Sequence, residues 1–98
     1  MRNKYYVGDV GTEILVDCGM NIEGATDTKI CMRKPDGTVI ERDAAIHTQN
    51  GLTEHLRYVT VSGDLDQAGW YKVQAKLTLS GWSGRGETDC FMVYAAFN

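Results

Sequence analysis

The sequence predicts an all-β domain, a two-sheet antiparallel β-sandwich of seven to eight strands. Three observations carry the prediction. No window of the 98 residues sustains the apolar period of a helix. Short β-branched and aromatic runs are separated by Gly, Asp and Asn signals roughly every 8–12 residues, as a small sandwich requires. The stretch SGDLDQAGWYKVQAKL, Ser62 to Leu77, sets a Gly-x-Tyr corner at Gly69 and Tyr71 before a strict alternation. Tyr71, Val73, Ala75 and Leu77 then fall on one side, and Lys72, Gln74, Lys76 and Thr78 on the other. A small barrel is the competing architecture. The corner favours the sandwich, because a Tyr hydroxyl there bonds back to backbone and pins the crossover between sheets.

Taken in order, Lys4 to Val7 reads as a short opening strand closed by the turn at Gly8-Asp9. Thr12 to Cys18 alternates, with Ile14, Val16 and Cys18 inward, Glu13 and Asp17 outward, and Leu15 breaking the polar side. Residues 19–27 are a polar, Gly-containing loop. Thr28 to Lys34 alternates again, Ile30 and Met32 inward, Lys29, Cys31 and Arg33 outward, so Cys18 and Cys31 point to opposite faces. Pro35-Asp36-Gly37 is a hairpin turn: Pro presets φ, Asp suits the second position and Gly the left-handed one. It leads into Thr38 to Arg42. A short strand follows around Ala45 to Thr48, with a turn at Asn50-Gly51, then a strand from Glu54 to Val61 with Leu56 and Tyr58 inward. After the corner come a strand over Trp70 to Leu79, a loop over Ser80 to Arg85 and a last strand over Gly86 to Tyr94. Phe91 and Val93 are its expected core pair, although the opposite parity, Cys90, Met92 and Tyr94, is almost as apolar.

The length fits one domain, residues 1–98 with a core of about 4–95. Hydrophobic content of 43% and charged content of 23% are those of an ordinary folded domain. A net charge of −3 with no basic run argues against nucleic acid as a partner. No apolar run approaches the ~20 residues of a membrane-spanning helix. The start, MRNKYYVGDV, has no apolar stretch and is not expected to act as a signal peptide. Three cysteines, Cys18, Cys31 and Cys90, are an odd set and read as reduced thiols with no inter-sheet disulfide. Apolar packing through Val16, Met32 and Val73 is expected to do that work instead. No CxxC spacing occurs and His47 and His55 stand apart from any cysteine, so no metal site is expected.

Catalytic motifs are missing too. There is no Gly-x-Ser-x-Gly elbow, and Gly81-Trp82-Ser83-Gly84 places its Ser in a hairpin loop. No glycine-rich loop opens a helix to cradle phosphate. Asp64-Leu65-Asp66-Gln67-Ala68-Gly69 begins like a calcium loop but fails at Ala68 and at Ala75, where Glu is needed, and serves as a turn. The chain therefore reads as non-enzymatic and without cofactor. What remains is a candidate interface. Trp82 stands at the tip of the 80–85 loop with Arg85 beside it, a pair suited to a protein partner or, through the ring, to a sugar. A Trp folded back over the end of the sandwich is the plain alternative. Lys72, Gln74 and Lys76 add an outward-facing strip, and Trp70, also outward, has the Ser62–Leu65 turn as its packing place.

The order of motifs adds a resemblance. Val-Gly-Asp comes near the start, then Thr-Glu-Ile-Leu-Val-Asp and Lys-Pro-Asp-Gly-Thr. Gly-Asp-Leu-Asp-Gln-Ala-Gly-Trp-Tyr-Lys-Val-Gln-Ala, Gly-Trp-Ser-Gly-Arg-Gly-Glu-Thr and a closing Phe-Met-Val-Tyr follow. Over about residues 4 to 95 this resembles the small immunoglobulin-like domains of tailed-phage and prophage proteins. It is similar to the N-terminal domain of phage baseplate upper proteins. The resemblance implies that the Gly-Asp leading into the first sheet strand is Gly8-Asp9 or the start of Thr12–Asp17. It assigns the central hairpin to Lys34, Pro35, Asp36 and Gly37, and the corner to Ala68, Gly69 and Tyr71. Against antibody-type domains the chain departs twice: Gln67 stands where an Asp precedes the corner Tyr, and Val73 where the second cysteine would be, leaving Cys18 without a mate. That suits a virion part assembled in a reducing bacterial cytoplasm. Baseplate upper proteins continue past this domain, whereas the sequence closes at Asn98, as expected of a stand-alone structural protein or a reduced relative.

What the resemblance implies is a structural component of a phage or prophage tail or baseplate. It would dock other virion proteins through a rigid sandwich end or an edge strand, in several copies set by tail symmetry. The alternative is a host-surface or glycan-binding decoration module acting through Trp82.

Overall fold

The computed structural model describes residues 4–97; the Met1–Asn3 start and Asn98 lie outside the described residues. Eight strands and no helix make up the described fold, in chain order β1 (Tyr5–Tyr6), β2 (Glu13–Asp17), β3 (Thr26–Arg33), β4 (Val39–Asp43), β5 (Ala45–Gln49), β6 (Leu52–Val59), β7 (Gly69–Leu79) and β8 (Trp82–Tyr94). They form two sheets, one of five strands in the order β1-β8-β7-β3-β4 and one of three in the order β2-β6-β5. The five-stranded sheet curls into a half-barrel, so the curvature of the competing architecture is present in one layer. All neighbouring pairs are antiparallel except one: β1 runs parallel to β8, Tyr5 opposite Val93 and Tyr6 opposite Tyr94. That corrects the wholly antiparallel expectation, and the opening strand is shorter than Lys4–Val7.

The alternation in the sequence places the core. Ile14 and Val16 on β2 and Leu56 and Tyr58 on β6 meet Ile30 and Met32 on β3 and Tyr71, Val73, Ala75 and Leu77 on β7. Cys18 and Val93 belong to the same buried cluster, and Phe91 packs against it, as the first of the two parities for the last strand required. Val16, Met32 and Val73 are all buried together and all three thiols are free. Ile22, from the segment read as a polar loop, is fully buried and was not anticipated. Its amide donates to the Thr53 carbonyl at 2.9 Å, which ties the loop to β6.

The corner forms as the sequence predicts. Tyr71 is fully buried, and its hydroxyl accepts the Gln67 N–H at 3.1 Å. Its ring stacks on Phe91 at 5.4 Å between centroids, and Phe91 meets Tyr5 edge-on at 5.4 Å, so β1 is held to the core by rings. Gly69 adopts φ of +131°, and a Cβ there would lie 2.9 Å from Cγ and 3.0 Å from Cβ of Pro35. The two strongest sequence signals, the Lys34–Gly37 hairpin and the Gly69 corner, therefore touch. Polar contacts reinforce the junction: Asp36 N–H donates to the Gln67 side-chain oxygen at 3.1 Å, and the Lys34 ammonium to Asp66 at 2.8 Å and the Gly63 carbonyl at 2.9 Å. Gln67, at the antibody-type Asp position, thus serves the hairpin. The buried acid of this end is Asp64, which accepts the Tyr58 hydroxyl, the Val61 N–H at 2.9 Å and Arg42 Nη2 at 3.2 Å.

The expected loop over Ser80 to Arg85 is overturned. Leu79 pairs directly with Trp82, so the connection is only Ser80-Gly81 and β8 begins four residues early. Gly81, at φ of +75°, supplies the left-handed step that a two-residue hairpin needs. The later glycines are strand residues, and Gly84 stands where a side chain comes close. A Cβ on Gly84 would lie 2.6 Å from the Trp82 ring, and one on Gly86 3.5 Å from the Cys18 Cα.

Candidate functional site

The pleat of the five-stranded sheet decides which of the predicted site residues meet. β3, β4, β7 and β8 stand in register across its outer face. Val39, Arg33, Lys72 and Cys90 make one row, Glu41, Cys31, Gln74 and Thr88 the next, and Asp43, Lys29, Lys76 and Arg85 a third. A bulge between Gln74 and Lys76 shifts the β7–β8 register, and this keeps Arg85 on the outer side. Lys72, Gln74, Lys76 and Arg85 therefore share one face. Trp82 does not: it opposes the partly buried Leu79, has inward parity and lays its ring over Gly84. The pairing of Trp82 with Arg85 on one loop tip is corrected, because both lie on β8 and two residues of odd separation on a strand, with no bulge between them, point to opposite faces. Trp82 remains 41% exposed at the end of the molecule, and its ring is folded along its own strand. Trp70, expected under the Ser62–Leu65 turn, is instead 58% exposed on the outer face, opposite Met92.

The outer face is not flat. A groove of about 600 Å³ lies on it, lined by Arg33, Lys72 and Arg85 together with Cys31, Gln74, Thr88 and Val39. Arg85 is rooted on β8, yet its Nη1 donates to Cys31 Sγ on β3 at 3.1 Å. Two strand spacings, roughly 9–10 Å, separate those strands, so the long Arg85 side chain reaches across β7 to make the contact. Gln74 is held from below, its Nε2 donating to the Gly86 carbonyl at 2.9 Å and to Thr88 Oγ1 at 3.3 Å. The Cys31 thiol donates to Glu41 at 3.5 Å, and Lys76 reaches the same carboxylate at 3.5 Å. The Glu41 carboxyl is held below its ordinary range, first by the thiol hydrogen bond and then by Lys76 and Lys29. Lys29 is bound to Asp43 at 2.7 Å. Cys18, by contrast, is buried between the sheets, and burial, helped by the Asp17 charge, pushes its thiol up to about 11.

Sequence reading missed Arg33, Cys31 and Val39 as members of the site. Arg33 and Cys31 carried the right signal, outward parity on β3, but which strand lies beside β3 is a tertiary fact. The absence of a basic run was equally uninformative, since the structure gathers its cations from three strands into one patch. Among the described residues no group of three or more His, Cys, Asp or Glu could hold a metal ion, and no helix is long and apolar enough to cross a membrane. No histidine lines the groove; His47 and His55 oppose one another in the three-stranded sheet. The groove is thus rich in donors and poor in acceptors, with one thiol that donates to the Glu41 carboxylate. Compared with protein-family models, curated proteins and solved structures, the chain matches none.

Proposed function

We propose that this chain is a non-enzymatic docking module with an immunoglobulin-like sandwich fold, a component of a phage or prophage tail or baseplate. The observation that carries the docking part is the groove on the outer face of the five-stranded sheet. An exposed Val39 and two arginines line it, and an exposed Trp70 stands one row beyond Lys72 on the same face. Aromatic and Arg side chains around a desolvatable depression are what protein interfaces are built from. Support for the immunoglobulin-like reading comes from the strand order, β2-β6-β5 facing β1-β8-β7-β3-β4, and from the buried corner Tyr71. The tail assignment rests on the motif resemblance along the chain. On this reading the partners are other tail or baseplate proteins, the chain is present in several copies, and it is made in the bacterial cytoplasm before entering the virion.

The test is mass spectrometry of purified particles from an induced source strain. Peptides of this chain at a stoichiometry that is a multiple of the tail symmetry support the assignment. A chain that is expressed but missing from intact particles refutes it.

A further inference from the structure

The groove on the outer face carries a charge imbalance that the folded chain does not settle. The outward positions described above hold five basic residues, Lys29, Arg33, Lys72, Lys76 and Arg85, against two carboxylates, Glu41 and Asp43. The whole chain has a net charge of −3. Lys29 is taken up by Asp43 and Lys76 by Glu41. The surplus is Arg33, Lys72 and Arg85, the three cations that line the groove. Arg33 and Lys72 are direct cross-strand partners on β3 and β7, an arrangement that repels. Among the described residues, neither meets a carboxylate. Arg85 spends a guanidinium N–H on a thiol, a weak acceptor, at 3.1 Å. Three unneutralised cations around a concavity focus a positive field on whatever enters it.

We infer that this groove receives an acidic, extended segment of a partner protein, whose Asp or Glu side chains pair with Arg33, Lys72 and Arg85. The inference deepens the docking reading and rests on it. One feature favours a polypeptide over another polyanion. Exposed apolar side chains, Val39 at 57% and Trp70 at 58%, border the cations and suit the alternate side chains of an extended peptide. The arginines supply forked donors that match a carboxylate bidentately.

The experiment is fluorescence anisotropy on the full chain with three labelled probes. They are a ten-residue peptide alternating Glu with Val and Ser, the same peptide with Lys for Glu, and a ten-nucleotide single-stranded DNA. The expected result is that the Glu peptide binds at least tenfold more tightly than either of the others and weakens as salt rises. Arg33→Gln and Lys72→Gln should each lose several-fold in affinity with an unchanged or raised melting temperature. Arg57→Gln, on the three-stranded sheet, should change nothing in binding. Equal binding of the Glu and Lys peptides, tighter binding of the DNA, or full affinity in both groove variants would each overturn the inference. If the Glu peptide fails while the chain is found in particles, only this inference falls. If the peptide binds through the groove but particles lack the chain, the tail assignment falls and the groove's preference stands.

Discussion

Replacing Gly69 by Ala tests the join between the hairpin and the corner. The substitution adds one methyl group, and the structure says where it goes: 2.9 Å and 3.0 Å from two carbons of the Pro35 ring, on a residue at φ of +131°. A non-glycine residue in that backbone region costs about 1–3 kcal/mol. Forcing a methyl into a filled space costs about 1–3 kcal/mol more. A domain of this length is stable by only about 5–15 kcal/mol, so Gly69→Ala should remove a substantial fraction of it. The melting temperature should fall by about 10 °C or more. Urea denaturation followed by tryptophan fluorescence measures the loss. Pro35→Ala/Gly69→Ala then separates the two causes. Removing the ring relieves the overlap but not the backbone strain, so the double variant should be destabilised by less than the sum of the two single changes. A Gly69→Ala protein within 0.5 kcal/mol of the parent, or strict additivity with Pro35→Ala, would refute the reasoning.

Further predictions follow from the same contacts. Tyr71→Phe leaves the Gln67 N–H without its buried acceptor and should cost about 1–2 kcal/mol by denaturation, with the fold intact by circular dichroism. Asp64→Ala strands Arg42, Tyr58 and the Val61 N–H together and should cost about 3 kcal/mol, moderated because Arg42 is partly exposed. Lys72→Gln removes a repulsion directly opposite Arg33 and should stabilise the free domain by about 0.2–1 kcal/mol, read as a raised denaturation midpoint. Cys18 has its thiol pushed up to about 11 by burial, so the folded state holds this proton more tightly than the unfolded one. Its contribution to stability is therefore complete below the ordinary thiol range and is lost as pH rises through about 11. A thiol-reactive chromophore at pH 8 should titrate Cys31 and Cys90 in the folded chain and Cys18 only after denaturant is added.

The fold was legible where local chemistry and tertiary structure agree. Ile14, Val16, Ile30, Met32, Leu56 and Tyr58 announce their direction by alternation alone, and all are buried. Pro35-Asp36-Gly37 and Asn50-Gly51 make turns whose geometry is set by the residues within them. Legibility failed at Gly84, where glycine was read as loop. Its lack of a side chain instead answers a close neighbour, the Trp82 ring, which a sequence does not display. The bulge between Gln74 and Lys76 was equally invisible, and with it the side of the sheet on which Arg85 stands. At the site, the Lys72, Gln74 and Lys76 strip could be read from one strand. Its meaning depends on Arg33 and Cys31 from β3 and Val39 from β4, and on Arg85 reaching across β7 to Cys31.

The most direct test of the central claim is photo-crosslinking inside particles from a residue in the docking face. Gln74, in the middle row of that face, would be replaced by a photoreactive amino acid, with Leu15 on the opposite sheet as the comparison. The account predicts that irradiated particles yield a covalent adduct to another tail or baseplate protein from position 74 and not from position 15. Adducts from position 15 alone, or none from position 74 in particles that contain the chain, would contradict it.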